Sequence, residues 1–318
     1  MRRAVATVLA STLLFAAAGC GGDDSGSATD GGPDKFKVGA IPIVDVAPLH
    51  LGIAKGFFSE QGMEIEVVNT TGGAAAVPGV VSGDFTFAFG NVTSLIVAKS
   101  QNLPLKAVAE GNSSTGQDGR DFGGVVVPKD SPITSAKDLA GKQVAVNNLK
   151  NIGDTTVRAS VRKAGGDPAG VKFVEMPFPD MPAAIANHRV DAAWIVEPFF
   201  TTAKNQGAKV IASNFVDAAP DLTVAVYFTS EKVLKEKADL VKRFTAAIEK
   251  SLQYATDHPD EARAVLSKYT KIDAGVAEKM TLPAWPQKVN TASVQTIADQ
   301  MQADGLIKDK FDVAQVLP

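Results

Sequence analysis

One cysteine, three histidines, two tryptophans and three tyrosines in 318 residues leave little for metal or redox chemistry. His50, His188 and His258 stand far apart, and neither an H-E-x-x-H nor a C-x-x-C zinc spacing can be drawn. A lone cysteine cannot close an internal disulfide, so the chain is not a disulfide scaffold. Positive charge is not in excess either. Lys+Arg number 32 against 35 Asp+Glu, a net −3, which excludes the basic field that nucleic acid requires. Beyond the N-terminus no apolar run approaches the ~20 residues of a membrane span. The G-x-S-x-G elbow and the P-loop G-x-x-x-x-G-K are missing. Ser160-Val161-Arg162-Lys163 fits S-x-x-K, but lies mid-helix without companion motifs. No catalytic residue and no cofactor is therefore assigned. What is present is globular: 45% hydrophobic and 21% charged residues, long enough for two domains with their own cores.

The first residues read as a targeting segment. Arg2 and Arg3 precede a mostly apolar run from Ala4 to Ala18, too short to remain as a span. It ends in Ala17-Ala18-Gly19-Cys20, which resembles the bacterial lipobox, although Ala17 stands where leucine is usual. The resemblance implies a signal peptide over residues 1–19 and a lipid on Cys20, anchoring the protein to the outside of a bacterial cell membrane. With Arg2 and Arg3 removed, 30 basic side chains face 35 acidic ones. Residues 20–35, rich in glycine, serine and aspartate, offer almost nothing to bury and read as a flexible tether.

From Phe36 short apolar strands alternate with amphipathic helices, the pattern of α/β sheets with parallel strands. Strands are expected at Val38–Ile43, Glu64–Asn69, Phe85–Phe89, Leu105–Glu110 and Gly123–Val127. A second set follows at Gln143–Asn147, Val171–Glu175, Ala192–Ile195, Lys209–Ala212 and Leu222–Phe228. Leu240, Phe244, Ile248 and Leu252 then mark one buried stripe of a helical tail. The expected organisation is lobe one from 36–122 and 229–318, and lobe two from 123–228. Strands near Gly123–Val127 and Leu222–Phe228 would serve as the two hinge crossings, with the tail packed back on lobe one.

Several stretches carry a family likeness. Val38-Gly39-Ala40-Ile41-Pro42, Ala47-Pro48-Leu49-His50-Leu51 and Lys55-Gly56-Phe57-Phe58-Ser59-Glu60-Gln61-Gly62 lead, followed by Gly72-Gly73 and Val81-Ser82-Gly83-Asp84-Phe85. Asp138–Val146, Val190-Asp191-Ala192-Ala193 and Glu197-Pro198 complete the set. Together these resemble the periplasmic substrate-binding proteins of ABC importers, in the nitrate, sulfonate and taurine branch. The resemblance implies a type II-like periplasmic-binding-protein fold, two α/β lobes closing on a ligand. It also implies an extracytoplasmic, monomeric binder, not an enzyme, that hands a small molecule to an ABC permease. That molecule would be a sulfonate, taurine, nitrate or carboxylate, or alternatively an uncharged pyrimidine or vitamin precursor. Less favoured is a biosynthetic enzyme of the same fold, whose iron-binding cysteine cluster has no counterpart after Cys20.

The physics of open α/β sheets places a ligand beyond the carboxyl ends of strands, where helix N-termini offer free N–H groups to an anion. Loops in that position supply the candidate ligand-binding residues Asp45, Thr71, Gly72, Gly73, Asn91, Thr93, Asn148, Lys150, Asn151 and Thr155. Glu197 joins them at a helix start. Asp45 and Asn91 have an alternative role as helix caps, and Asp45 is read as the cap of the helix at Pro48–Lys55. Trp194 reads as core, and Phe178 either meets a ligand's hydrocarbon part or covers a hinge. Lys150 is the single cation in these loops, with Arg120 and Arg158 at the flanks, so neutral donors would carry most of an anion's binding.

Overall fold

The computed structural model describes residues 32–318; Cys20, the signal peptide and most of the tether lie outside the described residues. Ten strands make two five-stranded sheets. The first contains β1 (Asp34–Ala40), β2 (Met63–Asn69), β3 (Phe87–Asn91) and β4 (Leu105–Ser113). The second contains β5 (Gly123–Val127), β6 (Gln143–Val146), β7 (Lys172–Glu175), β8 (Ala192–Val196) and β9 (Lys209–Ala212). The tenth, β10 (Thr223–Ser230), returns to the first sheet, giving the orders β2-β1-β3-β10-β4 and β7-β6-β8-β5-β9. β1 runs parallel to β2 and β3, and β6 parallel to β7 and β8. β10 and β5, the last strand of the first sheet and the first strand of the second, are antiparallel to their neighbours.

The helices that matter most to the cleft are α1 (Ala47–Ala54), α2 (Gly73–Ser82), α3 (Val92–Ser100) and α4 (Ile152–Lys163). Shorter ones follow: α5 (Met181–Ala186), α6 (Phe199–Asn205), α7 (Asn214–Ala218) and α8 (Glu231–Glu236). The tail comprises α9 (Ala238–Asp257), α10 (Pro259–Ala264), α11 (Ala274–Lys279) and α12 (Thr291–Ala303). The stripe foreseen on α9 is buried, and Phe244 stacks on Phe87 with ring centres 3.8 Å apart. Face-to-face aromatic contact with α1 and β4 alongside fixes this helix on the first half.

Besides shifts of a few residues at several strand ends, three features of the organisation differ from the sequence reading. Tether residues Asp34 and Lys35 belong to β1, because a parallel partner (Met63 and Glu64) satisfies their backbone while their side chains stay in water. The segments expected to be crossings, Gly123–Val127 and Leu222–Phe228, are instead interior strands, β5 of the second sheet and β10 of the first, every residue of each being buried. An all-buried β-branched and aromatic strand is sheet interior by burial, and hinges are short linking segments. The chain passes between the sheets at residues 114–122 and 213–222. These two stretches run side by side, Ser114 N donating to Leu222 O at 2.8 Å and Gly119 N to Ser213 Oγ at 2.8 Å. Finally, the tail is shared. α9 packs on the first half, while α12 sits between α3 and α4, and Asp304 pairs with Arg162 of α4 at 2.5 Å.

Candidate functional site

The carboxyl ends of β1 and β3 and the amino end of β10 face the carboxyl ends of β6 and β8 across a narrow chamber of about 10 Å³. From the first half come Ile41, Ile43 and Asp45 after β1, Gly72 and Gly73 opening α2, Phe89 to Asn91 ending β3, and Val224. From the second come Asn147 after β6, Phe178, Trp194 and Val196 of β8, and Phe215 of α7. The residues meet here because they lie in, or in the loops at, the strand ends that point at the same gap. Glycine is required at Gly73: a Cβ there would lie 2.7 Å from the Gly90 Cα, so α2 can start against β3 only without side chains.

The walls are aromatic, with three polar atoms left over. Trp194 packs edge-on against Phe178 (5.2 Å) and Phe215 (5.8 Å), and its indole N–H has no partner among the described residues. Asp45 is 2% exposed; its Oδ2 accepts from Asn112 Nδ2 at 3.0 Å and its Oδ1 has no partner. Asn147 donates Nδ2 to Thr71 O at 3.1 Å, leaving its Oδ1 unpaired. Burial pushes the Asp45 carboxyl up to about 7, because desolvation outweighs the hydrogen bonds that favour its charge. No lysine, arginine or histidine lines the chamber. The chamber thus presents two unpaired acceptors and one donor in an aromatic surround, and a buried polar atom left unpaired costs ~1–3 kcal/mol until something meets it.

The other candidates divide among different tasks. Asp45 does not cap α1: it lies within a tight turn, Val44–Val46, and Val46 holds the cap position without a side-chain bond. The turn is held from outside, by Trp285 Nε1 on Asp45 O at 3.4 Å, Tyr269 Oη on Ile43 O at 2.9 Å and Val44 N on Glu197 O at 3.2 Å. Asn91 lines the chamber and donates Nδ2 to Val224 O at 3.4 Å. Thr93, Asn148 and Asn151 are buried where the two halves touch. Thr93 Oγ1 donates to Asn151 Oδ1 at 2.5 Å, and Asn151 Nδ2 donates to Ser94 Oγ at 2.9 Å. Asn148 rests against Gly72, whose Cα would put a methyl 2.1 Å from Asn148 Oδ1.

Thr155 bonds back to Asn151 O at 3.0 Å inside α4, and Lys150 is exposed with a positive φ of 54° and lines no part of the chamber. Arg120 is exposed, and Arg158 donates to Pro168 O at 2.5 Å, away from the gap. Glu197 is fully buried and already served, accepting from Thr201 N at 2.9 Å and Thr201 Oγ1 at 2.7 Å. Burial raises its pKa. Sequence reasoning missed Asn147, Trp194, Phe89 and Phe215 as lining residues. Their signal was position, at strand ends or a short helix facing the switch between strand orders, which residue type alone does not carry. Among the described residues no group of three or more His, Cys, Asp or Glu could hold a metal ion, and no helix is long and apolar enough to cross a membrane.

Comparison with known proteins then adds the following. A family model described as NMT1/THI5 like matches residues 43–262. The formylaminopyrimidine-binding protein of Halalkalibacterium halodurans is 25% identical over 221 residues, 69% of this chain but only 64% of that relative's length. The ligand-binding component of an ABC-type import system from Staphylococcus aureus, solved with zinc bound, superposes with a TM-score of 0.76 at 16% identity. That match covers 90% of this chain and 96% of that one. The alkanesulfonate-binding protein from Xanthomonas axonopodis pv. citri, bound to MOPS, gives 0.74 at 15% identity, covering 90% and 99%. The architecture is that of the periplasmic binding proteins.

Proposed function

The chain belongs to the NMT1/THI5-like family, and from that premise we propose that it is the solute-binding component of an ABC import system. It captures a small molecule between its two sheets outside the cytoplasm and delivers it to a membrane permease without turnover. Attachment to the membrane would be through lipid on Cys20. The observation that carries the reading is the trio of unpaired, buried polar atoms on Asp45, Asn147 and Trp194, all lining one chamber between the halves. Such atoms are what a ligand pocket needs for orientation, set in apolar walls that supply the burial.

The ligand class divides in two. A small anion, of sulfonate, nitrate, taurine or carboxylate type, is supported by the relatives and by the starts of α2 and α3, where Gly72, Gly73 and Asn91 line the gap. With an anion inside, Asp45 must be protonated and donate, which its raised pKa permits below about 7. A flat, uncharged ring bearing N–H groups, such as a pyrimidine, is favoured by a specific observation: two unpaired acceptors, one donor, aromatic walls and no lining cation.

A thermal-shift screen of both classes on the full chain, at pH 5.5 and pH 8, tests the proposal. A ligand at a hundred times its Kd adds about 2.7 kcal/mol. Anions should bind more tightly at the lower pH, and uncharged rings should gain nothing from acidification. If no member of either class shifts the melting temperature at either pH, this reading of the chamber fails.

A further inference from the structure

A second chamber opens directly outside the first. It holds about 160 Å³ of free space and shares Ile41, Ile43 and Phe178 with the inner chamber. Those three side chains are 8%, 5% and 3% exposed and form the partition between the two spaces. The remaining lining is Pro42, Thr70 and Thr71 from the first half, and Pro177, Pro179 and Phe199 from the second. No charged side chain contributes, and of the two threonines Thr70 already donates to Gly72 O at 3.4 Å.

We infer that the site is bipartite, and that its ligand carries an apolar arm, aliphatic or aromatic, which passes Phe178 and lies in this outer chamber. The inference rests on the reading of the inner chamber as the seat of the ligand's polar head. Two observations support it. The inner chamber, as closed here, holds only about 10 Å³ of free space, room for a single water, so any part of a ligand beyond a small headgroup must extend outward. The way outward is apolar on nearly every side, which suits hydrocarbon and disfavours a second charge. Three prolines fix the backbone of these walls, so little ordering is needed when an arm enters. Because both halves contribute walls, the arm would be gripped by closure itself.

Chain length provides the test. Methanesulfonate, propanesulfonate and hexanesulfonate are titrated calorimetrically into the full chain, alongside 4-aminopyrimidine and its 2-propyl derivative. Within whichever headgroup binds, affinity should rise about fourfold per added methylene, the equivalent of ~0.8 kcal/mol. Phe199→Ser should flatten that slope, a readout independent of the absolute affinity of the variant. A flat series in the unaltered chain, with the short probes still binding, overturns the outer chamber while leaving the inner site standing. A slope that survives Phe199→Ser overturns its location. Failure of every probe to bind overturns both readings.

Discussion

Asn151 and Thr93 join the two halves of the molecule through a hydrogen bond of 2.5 Å between Thr93 Oγ1 and Asn151 Oδ1. The same carboxamide donates to Ser94 and caps α4 through the Ile152 amide at 2.8 Å. One side chain therefore starts a helix in the second sheet's half and holds the first half closed. Residues that the loops suggested as ligand donors are, in this closed arrangement, donors to one another.

Breaking that contact should open the cleft. Thr93→Val removes one cross-cleft bond and leaves the Asn151–Ser94 bond and the cap, whereas Asn151→Ala removes all three. Asn151→Ala should cost ~1–3 kcal/mol, from a lost cap and two buried hydroxyls left unpaired. Both variants should scatter X-rays as larger particles without ligand. An unchanged radius of gyration in both would show that the contact does not govern closure.

Gly72→Ala should obstruct closure sterically. The added methyl would sit 2.1 Å from Asn148 Oδ1 of the opposite half, at a φ of +151° that L-residues rarely adopt. Ligand affinity should drop tenfold or more while each half remains folded. Pairing it with Asn148→Ala should restore part of that loss; no restoration would place the damage in backbone strain alone.

Stability should fall as pH rises from about 4 to about 7. Asp45 titrates at 3.8 unfolded and about 7 folded, so between those values the folded chain holds the extra proton and loses stability as it leaves. Burial lifts Glu110 to about 9 as well, extending the decline upward. Asp45→Asn should raise the melting temperature at pH 8 more than at pH 5, flattening the profile. An equal change at both values would mean that Asp45 ionises freely.

Membrane attachment should depend on Cys20 alone. Cys20→Ala is expected to release the protein from membrane fractions with its melting temperature unaltered. Retention of the variant in the membrane pellet would sink the lipid anchor.

Most strands and helices were legible because their apolar residues recur with period two or form short buried runs: β5 and β9 fall on the residues anticipated. Periodicity says nothing about partners, and so β10 was placed at a hinge when its neighbours are β3 and β4. The site was half legible. Gly73 and Asn91 were visible from strand-to-helix position, and they do line the chamber. Asn151 looked like a ligand donor because a carboxamide at a helix start offers hydrogen bonds; which atoms receive them depends on how far the halves close. Trp194 looked like core because it is apolar and on a buried strand, and it is 2% exposed, yet it lines the chamber with its N–H unpaired.

The return of β10 to the middle of the first sheet also sets the order of assembly. Between β3 and β4 there is no direct pairing; the strand that bridges them arrives more than a hundred residues after β4 ends. A chain emerging N-terminus first therefore cannot complete its first sheet until almost all of the second has been made. Contacts this distant in sequence slow folding.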